Sequence, residues 1–272
     1  MRLCTLGDLL LDVIVRLDEP LAPGADANAV TRTVPGGQAA NVAAWAAALG
    51  AQARFVGKRG SDEAGQLATA GLAARGVEVA GPVAEGRNGI VVSLVGPDGD
   101  RTMASDRGVA PELSPDELEP RWFECDHLHV AGYSLMRSPI AAAATRAVEL
   151  ARTAGARVSV DLSAWTRIRE LGAARFRERL DALAPDVVFA NEAEWEVLGA
   201  AFALAPTTVL KRGARGVSVL SADGRVDVAA APVDAVDTTG AGDALAAGFL
   251  VGGAELGVAT AARCVAQLGA MP

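Results

Sequence analysis

The chain has 272 residues, 51% of them apolar, which is enough for one compact domain, or a domain plus an appendage, with a sizeable core. Its 25 Lys+Arg against 33 Asp+Glu give a net charge of −8, and no Lys/Arg cluster marks a basic face, so a nucleic-acid binder is not expected. The three cysteines, Cys4, Cys125 and Cys264, stand far apart without metal-ligand spacing and read as buried, reduced thiols. The N-terminal MRLCTLGDLLLDVIV lacks a cleavage site of the signal-peptide kind, and no run reaches the ~18 uninterrupted apolar residues of a membrane span. A cytoplasmic protein with no membrane partner is expected.

Short β-rich runs alternate with Ala-rich helical ones. RLCTLG and DVIVRL read as strands, and GQAANVAAWAAALGA as a helix ending at Gly50. ARFVGK is a strand and DEAGQLATAGLAARG a helix closing at Gly76. GIVVSLVGPDGDRTMAS holds two strands around a Pro-Asp-Gly-Asp turn, a hairpin signal. LSPDEL reads as a helix start, with Ser114 as cap, Pro115 in the first turn and Glu117 closing a capping box. DHLHVAG is a strand and SPIAAAATRAVELARTAG a capped helix. RVSVDLS, DVVFAN, TTVLKRG and GVSVLSA are further strands, with helices between the earlier ones.

Such alternation predicts an α/β fold: a mostly parallel sheet with helices on both faces, in three layers. Residues 13–34 and 84–106 break the rhythm, because both are strand-rich and lack a helix. They suit a small β-sheet lying as a lid over a core of residues 1–12, 35–83 and 107–272.

Ligands of a parallel sheet collect at the carboxyl ends of its strands. That rule selects GDLLLD, PGGQAAN, NEAE and DTTGAGD. In DTTGAGDALAAGFL, residues 237–250, Gly240 and Gly242 allow backbone conformations closed to other residues. A Gly-rich turn entering a helix points N–H groups and a positive dipole end outward, which suits phosphate. Asp243 sits in the first turn. A well-capped helix accounts for one glycine and one acidic residue, but not for two threonines, two glycines and an aspartate together. A carboxylate beside a phosphate cradle can take a proton from an alcohol during phosphoryl transfer. No GxxxxGK[ST] and no GxGxxG after the first strand are present, which sets aside Walker-type ATPases and Rossmann dehydrogenases.

DTTGAGDALAAGF resembles the C-terminal signature of the ribokinase-like carbohydrate kinases, the PfkB family, and GGQAANVAAWAAALGA resembles the N-terminal one. NEAE and KRGARG are similar to the nucleotide-site motifs between them, and the order fits nearly the whole chain. The resemblance implies the three-layer ribokinase-like fold with a β lid, and ATP- and Mg²⁺-dependent phosphorylation of a sugar hydroxyl. It places the base at Asp243, the anion hole at the amides of Gly240, Ala241 and Gly242, and Thr239 on the nucleotide side. Asp237 occupies a position whose backbone carbonyl often joins a monovalent-cation site, so K⁺ is a candidate.

The remaining motifs have plainer readings beside the functional ones. Asn191 and Glu194 have the spacing of a capping box. The family motif uses both around Mg²⁺ and the phosphates, often through water. Gly36 and Gly37 make a strand-to-helix turn. In similar proteins the second glycine lets the sugar approach, and Asn41 bonds a hydroxyl. An Asn in an Ala-rich helix supports that, because a buried amide needs partners. Asp12 stands where related kinases hold sugar hydroxyls, or is an acidic residue on an edge strand. Lys211, Gly213 and Gly216 are nucleotide-site residues or a turn with a solvated lysine. Arg107 either clamps an anionic group or is a surface arginine. His127 and His129 read as structural.

Leu10, Gln38 and Gly132 depart from the ribokinase pattern, which puts ribose in doubt. A nucleoside kinase on the same fold is the alternative, and a non-catalytic ligand-binding homologue a further one. The apolar GIVVSLV run implies a lid sheet whose two faces both avoid water, and a homodimer with each lid clasping its partner covers it.

Overall fold

The computed structural model describes residues 1–96, 101–199 and 203–272. The Pro-Asp-Gly-Asp turn at 97–100 lies outside the described residues.

In chain order the first elements are β1 (Arg2–Leu6), β2 (Leu10–Leu17), β3 (Ala29–Gly36), α1 (Gln38–Ala48), β4 (Gln52–Val56) and β5 (Arg59–Gly60). Then come α2 (Glu63–Ala73), β6 (Glu78–Ala80), β7 (Val83–Ala84), β8 (Asn88–Val95) and β9 (Arg101–Gly108). After three short 3₁₀ turns follow β10 (His127–Ala131), α3 (Ile140–Thr153), β11 (Arg157–Asp161), α4 (Trp165–Leu171) and α5 (Ala173–Leu183). The chain closes with β12 (Val187–Asn191), α6 (Glu192–Val197), β13 (Thr207–Lys211), β14 (Val217–Ser221), β15 (Gly224–Val228), α7 (Ala241–Gly252) and α8 (Ala254–Val265).

The main sheet has nine strands in the order β15-β14-β13-β12-β11-β10-β1-β4-β6. All its pairs are parallel except β13 with β14 and β14 with β15. Its strands are apolar on both sides because both faces are covered. One face packs Leu6, Val130, Val160 and Val188 against Ile140 and Ala144 of α3, Ile168 of α4 and Phe176 of α5. The other packs Leu3, Phe55, Phe189 and Val209 against α1, α7 and α8. Eight consecutive residues of α1, Ala39 to Ala46, are buried, since small alanines let the helix sit between the sheet and α7. The three-layer α/β arrangement with a mostly parallel sheet, expected from the sequence, is the one observed.

A second sheet of four strands, in the order β3-β2-β8-β9, is built from the two strand-rich segments. β8 and β9 pair antiparallel, as the hairpin pattern requires, and β2 lies inside the sheet rather than at its edge. Along β8, Gly89, Val91 and Ser93 are buried while Ile90, Val92 and Leu94 are half-buried.

Two local expectations are corrected. LSPDEL does not begin an α-helix. Ser114 and Glu117 do form their capping box, but around a 3₁₀ turn of Pro115–Glu117 alone. Pro111, Pro115 and Pro120 recur too closely for a helix to propagate. Helix α3 carries no side-chain cap, because Pro139 occupies the cap position.

The two histidines are core residues. His127 Nε2 and His129 Nδ1 each lie 2.9 Å from the hydroxyl of Ser159 on the neighbouring strand. Burial pushes His127 down to about 3, helped by His129 and Arg157, and His129 down to about 4, against the pull of Asp161. The folded state therefore holds both neutral, and the unfolded chain takes up their protons first as pH falls below about 6.5. Stability is present above that pH and is lost from 6.5 down to about 3 for His127 and about 4 for His129, at no more than about 1.4 kcal/mol per pH unit per histidine. Urea midpoints measured from pH 7 to pH 4.5 are expected to fall less steeply for His127→Gln than for the wild type. Parallel profiles would contradict this account of the cluster.

Candidate active site

The carboxyl ends of β1, β10, β11, β12 and β13 lie on one edge of the main sheet, and two helix N-termini meet there. Helix α1 starts at Gly37, whose φ of 100° only glycine holds comfortably, and a Cβ there would lie 2.3 Å from the Asp8 carbonyl oxygen. Helix α7 starts at Gly240, with φ 76°. The two starts are tied together by Asn41 of α1, whose Nδ2 donates to Asp243 Oδ2 at 2.7 Å. Asn41 is buried, and its Oδ1 is without a partner among the described residues, leaving an acceptor for a hydroxyl.

Beneath α7 lies an ion pair the sequence reading missed. Lys211 Nζ donates to both oxygens of Asp161, at 2.9 and 2.7 Å, and Asp161 is fully buried. Beside it, the Asn191 side chain accepts from the Glu194 amide at 2.8 Å, while the Glu194 carboxylate accepts from the Asn191 amide and Nδ2, each at 2.8 Å. The capping-box reading of these two residues is thus met. Burial alone would push the Lys211 ammonium down, but Asp161, Glu194 and Asp243 together hold it above its ordinary value. The same crowding acts on the acids. Burial raises Glu194, eased by Lys211 and reinforced by Asp161. Burial also pushes Asp243 up to about 7, opposed by the Asn41 hydrogen bond and Lys211 and reinforced by Asp161 and Asp12.

A cleft of about 450 Å³ opens between this edge and the four-stranded sheet, a size that suits a small molecule. Asp12, Gly37, Asn41, Thr239, Gly240 and Asp243 line it together, so six of the sequence-selected residues converge. The Asp12 carboxylate lies over Gly36, where a Cβ would come within 2.2 Å of it. Ala241 and Gly242 form the first turn of α7 below Gly240. Asn191, Glu194 and Lys211 sit beside that turn and outside the cleft wall, and Gly213 and Gly216 lie in the 3₁₀ turn and bend after Lys211. Asp237 organises the loop before α7: its carboxylate accepts from the Thr239 amide at 2.9 Å, the Thr239 hydroxyl at 2.5 Å and the Gly269 amide at 3.0 Å.

Three details revise the sequence reading. Gly242 does not have a special backbone conformation. Its importance is space, because a Cβ there would stand 3.3 Å from Lys211 Nζ, which Asp161 holds in place. Arg107 is neither a loose surface residue nor an open clamp: its Nε and Nη2 donate to Asp8 at 2.5 and 2.9 Å, and it lines the cleft. Gly132 admits no side chain, since a Cβ would lie 2.5 Å from the Asp161 carbonyl oxygen. Asp161 ends the apolar strand β11 and Asp8 stands two residues past the end of β1, and a carboxylate at or just beyond the carboxyl end of a buried strand is the signal that would have marked them.

A glycine-started helix, a half-buried carboxylate in its first turn and a lysine below it thus meet at the carboxyl edge of an α/β sheet, where such folds bind their ligands. Comparison with known proteins agrees. The pattern of the pfkB family carbohydrate kinases matches residues 1–271, and the chain belongs to that family. An ATP-dependent ribose-1-phosphate kinase of Halopiger xanaduensis is 36% identical over 262 residues, covering 92% of this chain and 84% of the relative. Fructokinase-1 of Oryza sativa subsp. japonica is 32% identical over 269 residues, covering 90% and 80%. The crystal structure of adenosine kinase from Sinorhizobium meliloti superposes with a TM-score of 0.88 at 25% identity, over 100% of this chain and 95% of that one.

The two glycines of the turn are expected to separate stability from turnover. At Gly240 an alanine must adopt φ 76° and meet Ala270 Cβ at 2.6 Å, so Gly240→Ala should cost about 1–3 kcal/mol of stability. Gly242→Ala sits in ordinary helix and should leave the melting temperature within a few degrees while lowering ATP turnover at least ~10-fold through Lys211. Calorimetry with an ADP-release assay checks both, and the opposite ranking would contradict the assignment.

Proposed function

We propose that this pfkB family carbohydrate kinase works by a general-base transfer of phosphate from ATP to a sugar hydroxyl. We propose that Asp243 is its general base. The observation that supports this is a cleft-lining carboxylate pushed up to about 7, at the start of the helix whose first amides are those of Gly240, Ala241 and Gly242. The hydroxyl proton passes to Asp243 Oδ as the hydroxyl oxygen bonds to the γ-phosphorus, and ADP leaves with the electrons of the broken P–O bond. The three amides and the helix dipole stabilise the charge on the transferring group. Asp12, Asn41 and the Gly37 backbone hold the sugar. ATP lies along Asn191, Lys211, Gly213, Gly216 and Thr239.

The residues fit a magnesium ion. Burial raises Glu194 and Asp243, and Asp161, which shares the Lys211 ammonium with them, adds to the rise. Both Glu194 oxygens already accept hydrogen bonds, and among the described residues no three acidic or imidazole side chains converge on one point. Mg²⁺ would therefore be held by Asn191 and Glu194 through water, as its reluctance to dehydrate favours, and would neutralise phosphate charge. For K⁺, the Asp237 carboxylate is already engaged, which leaves the backbone carbonyl as that residue's contribution.

A sugar is favoured over a nucleoside because the one aromatic ring on the cleft wall, Tyr133, has the Arg107 guanidinium 5.8 Å from its centroid. The intact base and lysine argue against a merely binding homologue. The buried free thiols of Cys4, Cys125 and Cys264 support a reducing, cytoplasmic setting. Among the described residues no helix is long and apolar enough to cross a membrane.

Asp243→Asn is expected to lower kcat roughly 10²–10⁴-fold with little change in either Michaelis constant. In the wild type, kcat/KM should rise with pH through about 7, because the base must lose its proton first. Full turnover of the variant, or a flat profile from pH 5.5 to 8.5, would reject the role.

We also propose that residues 13–34 and 84–106 act as a lid and that two lids pack together in a homodimer. Val13, Val15, Val92 and Leu94 share the sheet face turned from Asp12, by their register, and stay half-buried at most. Light scattering at micromolar concentration should give twice the chain mass, and Leu94→Asp should halve it. A wild-type monomer would refute the dimer.

A further inference from the structure

The cleft is polarised in a way that a neutral sugar does not use. Carboxylates Asp12 and Asp243 lie where the hydroxyls must bind. Arg107, Arg137 and Arg167 line the same cleft. Their charges are not equally spent. Arg107 is committed to Asp8 through two hydrogen bonds. Among the described residues Arg167 pairs only with Glu170 one turn away, both side chains more than half exposed, and such pairs contribute little and exchange readily. Arg137 is exposed at the cleft mouth, and among the described residues no hydrogen bond or ion pair engages its guanidinium. All three line the same cleft as Tyr133. The Arg107 guanidinium stands 5.8 Å from its ring, Arg167 is close enough to act on the phenol, and Arg137 follows two residues after the short turn Gly132–Leu135 that carries Tyr133. The protein as a whole is strongly acidic, so a concentration of guanidinium groups at this mouth is local rather than a general surface property.

We propose that the acceptor sugar already carries a phosphate ester, and that Arg137 and Arg167 form the subsite for that phosphate at the mouth of the cleft, with Tyr133 and the Asp8-bound Arg107 as its wall. Guanidinium forks match phosphate oxygens two at a time, and a dianion is the partner that two such groups balance. The phosphate is thereby kept apart from Asp243, whose ionisation a nearby dianion would oppose. The sugar is oriented with a free hydroxyl toward the base. The product is a sugar bisphosphate, and the enzymes that supply its substrate are those that leave a phosphate on a sugar, such as phosphorolytic cleavage or a first kinase. The inference rests on the kinase reading above and narrows its substrate class.

The test is a binding and turnover comparison on the full chain. Wild-type protein without ATP is titrated calorimetrically with ribose, ribose 1-phosphate, fructose, fructose 6-phosphate and a sugar acid, and the same compounds are then assayed for ADP release. At least one phosphorylated sugar is expected to bind at least ~10-fold tighter than its neutral parent, with kcat/KM ~10²-fold higher. Arg137→Ala should reduce that preference to less than about 3-fold, and Arg137→Lys should restore part of it, because the charge returns without the fork. Inorganic phosphate should compete with the acceptor and not with ATP. Neutral sugars bound and turned over as well as phosphorylated ones would overturn the inference while leaving the kinase reading intact. Preference for the sugar acid, or an undiminished phosphate preference in Arg137→Ala, would overturn the assigned subsite. Tight phosphosugar binding with no ADP release from any acceptor would uphold the subsite and sink the kinase reading instead.

Discussion

The ion pair between Lys211 and Asp161 is the contact on which the site depends. It joins the carboxyl ends of two parallel strands, β13 and β11, which have β12 between them. It also sets the clearance under helix α7, since Lys211 Nζ occupies the space a side chain at residue 242 would need. A buried pair of this kind is costly to break, because removing one partner leaves the other charge without compensation, at about 3–5 kcal/mol. One ammonium is shared among Asp161, Glu194 and Asp243, and burial leaves little water to make up the difference. Burial first, and that imbalance second, raise the proton affinity of Glu194 and Asp243.

The second constraint is the meeting of two helix starts. Gly37 and Gly240 both use backbone angles that side chains resist, and each brings a helix N-terminus to the same cleft. Asn41 and Asp243 close the gap between them. The smaller sheet rises directly from this junction: β2 begins two residues beyond Asp8, and β9 returns to it through Arg107. The Asp8–Arg107 pair therefore fastens the sheet that covers the cleft to the strand edge that holds the chemistry. Motion of that sheet relative to the core would be felt at Asp12 and at the arginine rim together.

Much of this was legible in the sequence, for identifiable reasons. Glycines, Asp243 and Asn41 announce themselves because their residue types conflict with the apolar helices they begin, and the alternation of strands and helices reports a sheet covered on both faces. The antiparallel pair of β8 and β9 was readable from the hairpin signal in the second segment that lacks a helix, whereas the pairing of β2 with β3 and β8 was not. What was not legible depends on partners distant along the chain. Asp161 looks like an ordinary strand end until β13 brings Lys211 to it, and Asp8 looks like a turn residue until β9 delivers Arg107. The cap signal at Ser114 was real but specified only a start, and the prolines around it decided that no helix followed. Gly242 was selected for the wrong reason, since its neighbour in space, rather than its backbone angle, demands a hydrogen atom there.

The account turns on one acid held near neutrality by burial and by a shortage of positive charge around it. Carboxyl ¹³C resonances of the aspartates, assigned by comparison with Asp243→Asn and followed from pH 4 to pH 9, measure this directly. The Asp243 signal is expected to titrate at about 7, and higher still when Lys211→Met removes the one ammonium nearby. A midpoint at about 4, the value of an unperturbed aspartate, with no response to the loss of Lys211, would contradict it.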